Sequence, residues 1–189
     1  MEFTTRGLWT MMHGMGFGGL YLLAASGALV ELHRSRFVDK SQQDSHNSAF
    51  LRNYLAGMAV LAWLAVLSGA YIVYPWYRAV APAGAASLAA FPQMLLRSSP
   101  STAGWHSLAM EWKEYVAWIV PISSTMAAAV AWRYGKDLRR FPPLRAAVLR
   151  FVAAAFLAAA LAGFSGAMLN KHAPVEGGRT IHVLTGVAR

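Results

Sequence analysis

Four long apolar stretches constrain the fold of this chain more than any other feature of the sequence. They cover approximately residues 8–30, 51–74, 113–132 and 146–169. A helix needs about 20 apolar residues to cross the hydrocarbon core of a bilayer, and each stretch reaches or approaches that length. We therefore expect an all-α fold, a four-transmembrane-helix bundle that forms a single integral membrane domain over residues 1–189.

The composition agrees with this expectation and excludes several classes of protein. Hydrophobic residues make up 57% of the chain and charged residues 13%, against about 25% charged residues in an ordinary soluble domain. The first stretch is too long for a secretory signal and lacks a basic leader, so we interpret it as a retained span. The chain has no cysteine, which excludes disulfides, thiolate catalysis, iron–sulfur ligation by thiolates and covalent c-type haem attachment.

The distribution of lysine and arginine predicts the orientation of the bundle. These residues concentrate in the connections 33–52 and 133–150, and cytoplasmic loops are enriched in them. Both termini, the loop 75–104 and the tail 173–189 are then periplasmic, in the inner membrane of a bacterium. We expect a short interfacial helix around 88–97 in that loop. The basic charge is expected to meet anionic membrane lipid, with no nucleic acid as partner.

Three histidines lie at the same expected end of separate spans: His13, His106 and His172. Imidazoles from different helices at one membrane face are the ligands that a b-type haem or another metal centre requires. Glycines surround the first of them, and small residues let a neighbouring helix or a flat macrocycle approach the backbone. Close helix packing with interfacial histidines explains the same pattern, and both interpretations stay open.

The start of the third span combines an imidazole with three charged side chains, Glu111, Lys113 and Glu114. Counting about 20 residues back from Arg133 puts the lysine near the outer boundary, with His106 one or two turns above it. Ionisable residues in a span often face a protein interior and serve function. We interpret Lys113 as a partner for haem propionates and the two carboxylates as proton acceptors. A solvated helix end is the alternative.

In its four spans and outer histidines the chain resembles the four-helix membrane b-type cytochromes, which anchor respiratory oxidoreductases and exchange electrons with quinone. The resemblance implies electron transport between quinol and a partner, either a periplasmic cytochrome or other subunits of a membrane redox complex. Because suitable histidines occur at one face only, one haem b near the periplasmic face is expected. His13 and His106 form the first ligand pair, and His172 is the replacement for either.

Two other functions fit the same residues. An i, i+3 carboxylate pair together with imidazoles can ligate iron, copper or zinc, which would make a non-haem metal site of His13, Glu111, Glu114 and His172. Alternatively, the chain is a cofactor-free structural subunit of a respiratory or photosynthetic complex. Whether it belongs to an enzyme, as a subunit of a quinol-linked oxidoreductase, is left open by the sequence.

Overall fold

The described part of the chain is helical. The computed structural model describes residues 4–34, 45–135, 137–138 and 140–175, although the side chains of 45–48 are outside this description. Within these ranges there is no strand. Most of the tail that we expect to be periplasmic, including His182, lies outside the described residues.

Within the described residues, four helices are long and apolar enough to cross a membrane. This confirms an all-helical fold with four candidate spans, as in a multi-pass membrane protein. Each has 29 to 35 residues, or about 45 Å at 1.5 Å per residue. They are α1 (Thr5–Arg34), α2 (Ala49–Tyr77), α4 (Pro100–Tyr134) and α5 (Pro142–His172).

The helices extend beyond the apolar stretches that predict them. The third begins at Pro100, so the charged residues before its apolar run are helical and the loop after α2 is shorter than expected. Proline fits the first turn of a helix because its missing N–H has no partner there, and this explains the starts at Pro100 and Pro142. A short helix, α3 (Pro92–Arg97), lies where an interfacial helix is expected.

One end of the bundle is packed mainly through alanines. Fully or almost fully buried alanines occur on three helices at this end, which we call the alanine end: Ala25, Ala28, Ala127, Ala131 and Ala155. Small side chains let helix backbones approach closely in a membrane, where the hydrophobic effect does not drive helix association. Next to them, the hydroxyl of Tyr21 lies 2.9 Å from the hydroxyl of Ser124 and joins α1 to α4. The alanine end is thus a tightly closed core.

The opposite end, which we call the histidine end, contains His13, Tyr77, His106 and His172. Three π-helical segments occur here, over Met12–Gly19 in α1, Gly69–Val73 in α2 and Trp105–Met110 in α4. A separate apolar cluster, which includes Leu96 of α3 and Leu169 of α5, contains residues from the second and third of these segments. π-Helical turns are rare and occur frequently at functional sites, because each extra residue in a turn re-aims the side chains that follow. The irregular helices therefore mark this end as the candidate site.

Candidate functional site

The imidazole of His13 is held by the neighbouring helix. Its Nδ1 lies 2.8 Å from the carbonyl oxygen of Ala65 in α2, and the hydroxyl oxygen of Ser68 lies 3.4 Å from the same nitrogen. A carbonyl oxygen only accepts, so Nδ1 carries the proton and donates it. The other ring nitrogen, Nε2, then holds a lone pair, and no described residue forms a hydrogen bond with it.

A glycine of α2 makes the space that this imidazole occupies. A Cβ atom at Gly69 would lie 2.5 Å from Cε1 of His13 and 3.0 Å from Nδ1, closer than real Cβ contacts come. The glycines that surround His13 in α1 do not form a comparable contact with it, and a Cβ at Gly14 would have no neighbour within 4 Å. The expected glycine slot therefore exists, but it comes from α2.

Lys113 lies inside the bundle near the same imidazole. A Cβ at Gly166 of α5 would lie 2.9 Å from Nζ of Lys113, and the ammonium group is close enough to His13 for an electrostatic interaction. Among the described residues no carboxylate forms an ion pair with it. An unpaired ammonium within a membrane bundle is costly. The Lys113 ammonium therefore suits a site that binds a negatively charged group or a strong hydrogen-bond acceptor.

His106 has a different set of neighbours. Its Nδ1 lies 2.8 Å from the hydroxyl of Tyr77 in α2. On the other side of the ring, Nε2 lies 3.5 Å from the amide nitrogen of Gln93 in α3 and 3.9 Å from Oε1 of Glu111. The His106 side chain is 11% exposed and that of Glu111 is 60% exposed. The imidazole thus separates a buried phenol from a carboxylate at the surface.

His13 and His106 lie at different depths along the bundle. His13 contacts Gly69, whereas His106 contacts Tyr77, about two turns or roughly 10 Å further along α2. A bis-histidine haem needs two imidazoles that face each other across one macrocycle. The structure therefore brings the expected first pair of ligands to one end of the molecule but does not bring their rings together.

The remaining candidates are also separate from one another. His172 is exposed at the end of α5, where its ring stacks on Trp105 with centroids 5.7 Å apart. Glu114 is half-buried and interacts with Tyr74 and Tyr77 of α2. Within the described ranges, no group of three or more histidine, aspartate or glutamate side chains has the geometry of a metal site. The expected non-haem metal set is therefore not assembled.

The sequence interpretation missed the residues that surround the imidazoles and Lys113, namely Ser68, Gly69, Tyr77, Gln93 and Gly166. Tyr77 fits the aromatic belt that is common near membrane interfaces, so its position alone does not indicate a bond to a histidine. The two glycines belong to runs of small residues that are typical of helix packing.

No protein family model matches the chain, and comparisons with curated proteins and with solved structures find no match either.

Proposed function

We propose that this chain is a membrane redox subunit that binds one b-type haem at its histidine end. In the proposal it passes electrons between quinol and a partner redox protein. The observation that carries the proposal is the bonding of His13, whose Nδ1 donates to a backbone carbonyl while Nε2 has no partner among the described residues. Ligating histidines almost always donate their other N–H to a carbonyl, carboxylate or water, which fixes the tautomer and the ring orientation.

The surroundings of His13 support a haem more than a bare metal ion. A haem carries two propionates, and the otherwise unpaired ammonium of Lys113 provides a buried positive charge that can bind one of them. Gly69 and Gly166 reduce side-chain bulk on the two helices that face these groups. When bound, the haem would supply one-electron transfer, and the protein residues would hold and orient it.

Of the histidines in this chain, His13 alone would hold the haem. Both ring nitrogens of His106 have polar neighbours. Nδ1 lies next to Tyr77, and Nε2 lies next to Gln93 and Glu111. His172 is exposed and stacked on Trp105. The contacts of these two imidazoles are with residues other than His13, so we give them other roles in place of the ligand pair expected from the sequence.

The location and partners of the site belong to the same proposal. The positive-inside bias of the connections supports a periplasmic position for the histidine end and both termini, in a bacterial inner membrane. Quinol reaches such a site from the lipid phase, and a periplasmic cytochrome or another subunit of a membrane complex accepts the electron.

The visible spectrum of the purified protein tests this proposal. We expect a b-type α band in the reduced-minus-oxidised difference spectrum after expression with a haem precursor. Folded, helical protein that lacks this band under those conditions would overturn the proposal.

A cofactor-free structural subunit is the second candidate. The tight packing of the His13 ring against Gly69 favours it, because that ring already fills the space that the glycine leaves. In this case the chain would purify as a stable helical bundle without haem, and substitution of His13 would change its stability alone.

A further inference from the structure

We infer that Glu111, His106 and Tyr77 form a proton relay between the surface of the histidine end and its interior. The inference deepens the proposed function and rests on it for the identity of the proton donor, a quinol hydroxyl. Its geometry is independent of haem, because none of the three residues contacts His13.

The first contact of the relay is a hydrogen bond at its inner end. The hydroxyl of Tyr77 lies 2.8 Å from Nδ1 of His106, and only 4% of Tyr77 is exposed. If Nδ1 accepts from the phenol, the ring proton is on Nε2. The His106 ring is then a neutral acceptor toward the interior and a donor toward the surface.

The second contact connects the ring to the surface. Nε2 of His106 lies 3.9 Å from Oε1 of Glu111, a gap that one rotation of the exposed carboxylate or one bridging water closes. Gln93 lies on the same side with its amide nitrogen 3.5 Å from Nε2. A rotation of this amide by 180° would bring its oxygen to that position, where it can accept from a protonated Nε2. The carboxylate exchanges protons with bulk water because 60% of its side chain is exposed.

A proton crosses the relay by three coupled transfers. The Tyr77 hydroxyl gives its proton to Nδ1 of His106, and Nε2 of the same ring gives its proton to the Glu111 carboxylate. Tyr77 is restored by a proton from the interior donor. His106 then carries its proton on Nδ1, and it returns to its starting tautomer when the ring turns Nδ1 toward the surface, releases that proton to water and takes up another on Nε2 before it turns back. One proton moves from the interior to the surface, and no electron moves through these side chains.

The charged groups around the relay come from three elements. Glu114 of α4 and Tyr74 of α2 interact with Tyr77. Arg78, just after α2, and Arg97 at the end of α3 lie within electrostatic range of the same phenol. The relay therefore lies within electrostatic range of one carboxylate and two guanidinium groups.

The π-helical segment of α4 explains why the sequence alone does not reveal this arrangement. It covers Trp105–Met110 and ends immediately before Glu111. A widened turn changes the angular position of His106 relative to the residues after it. An ideal helix would put the i and i+5 positions about 140° apart, so the approach of His106 to Glu111 depends on this local geometry.

Nitrogen NMR of protein labelled at histidine tests the relay without any cofactor. In the parent we expect His106 to be neutral, with its proton on Nε2 and with a hydrogen-bonded Nδ1. Tyr77→Phe should shift the Nδ1 signal, and Glu111→Gln should shift the Nε2 signal. A proton on Nδ1, or His106 signals that neither variant moves, would overturn the relay.

A kinetic rescue experiment tests the transfer itself. The haem-loaded protein is mixed with decylubiquinol, and haem reduction is followed by stopped-flow absorbance. We expect Glu111→Ala to slow reduction about tenfold or more, and added formate to restore most of the rate because a small acid can reach this exposed position. Glu31→Ala, at the alanine end, is the matched control and should keep the parent rate.

The two experiments separate the two proposals. A parent protein that binds no haem contradicts the proposed function, while the nitrogen signals still decide the geometry of the relay. A parent that is reduced by quinol at the same rate as Glu111→Ala contradicts the relay and leaves the haem proposal intact. A slowed variant that formate does not rescue also contradicts it, because a structural defect would give that result.

Discussion

The two ends of the bundle differ in the regularity of their helices and in the side chains that pack between them. At the alanine end the helices are regular, and side chains such as Ala28 and Ala155 are completely buried. At the histidine end three of the four helices contain π-helical segments, and the imidazoles of His13 and His106 form hydrogen bonds or close polar contacts with α2. Lys113 also lies at this end, and its ammonium group is costly to hold within a membrane without a compensating ligand.

This difference indicates that the alanine end holds the bundle together and the histidine end is shaped for binding. Tyr21 and Ser124 at the alanine end form a hydrogen bond with each other. In contrast, Nε2 of His13 and Nζ of Lys113 form no hydrogen bond with any described residue. Substitutions at the two ends should therefore affect different properties, stability at the former and cofactor binding at the latter.

The largest effect is expected for Gly69→Ala. The added Cβ would lie 2.5 Å from Cε1 of His13, so the imidazole must move away from Ala65 and lose its orientation. We expect haem occupancy to fall about tenfold or more, within the loss typical when the positioning of a metal ligand is disturbed. Haem per protein, measured on purified samples, checks this.

Gly57→Ala is the matched control for this substitution. It lies in the same helix, and a Cβ there would have no neighbour within 4 Å. Equal haem occupancy in the two glycine variants would contradict the role that we give to the histidine end.

An intermediate effect is expected for Lys113→Met, which removes the buried positive charge and keeps much of the side-chain volume. Loss of a nearby cation favours the ferric form, which carries one more positive charge, so the midpoint potential should fall. We expect a decrease of about 60 mV, the equivalent of a tenfold change for a one-electron couple. Spectroelectrochemical titration measures it.

Lys171→Met serves as the control for charge because this lysine is exposed at the end of α5. It should change the potential by much less, since solvent screens the charge. A rise in potential in Lys113→Met would show that the ammonium does not act on the haem as proposed.

The smallest effect is expected for Tyr21→Phe at the alanine end. The variant loses the hydrogen bond between α1 and α4 but keeps the ring, and such bonds contribute about 0.6 kcal/mol on average in membrane bundles. The thermal stability in detergent should decrease slightly, with haem content unchanged. Ser26→Ala is a suitable control, because its hydroxyl bonds only to the carbonyl of Leu22 in its own helix. A loss of haem in Tyr21→Phe would show that the two ends are not independent.

The sequence predicted the helices better than their contacts, for a physical reason. Hydropathy reports the part of a helix that lies in lipid, so it located four spans but not the extension of α4 back to Pro100. Helix-starting proline supplies the missing signal there. The position of α3 also agrees with the sequence prediction, because an amphipathic segment between prolines can be recognised from its own residues without knowledge of tertiary contacts.

The site was only partly predictable. Histidines and a lysine in a membrane protein stand out by residue type, so His13, Lys113 and His106 could be selected. Their pairing depends on rotation and depth between helices, and three π-helical segments alter the rotation that ideal helical spacing assumes. For this reason the sequence placed His13 opposite His106, whereas the structure places it against Gly69.

The most direct test of the central claim is haem stoichiometry in His13→Ala compared with His172→Ala. Both variants remove one imidazole from the histidine end, but only His13 has a carbonyl-bound Nδ1 and a free Nε2, whereas His172 is exposed. We predict that His172→Ala keeps about one haem per chain and that His13→Ala retains almost none while remaining helical. Full haem content in His13→Ala, or equal loss in both variants, would contradict the assignment of His13 as the ligand.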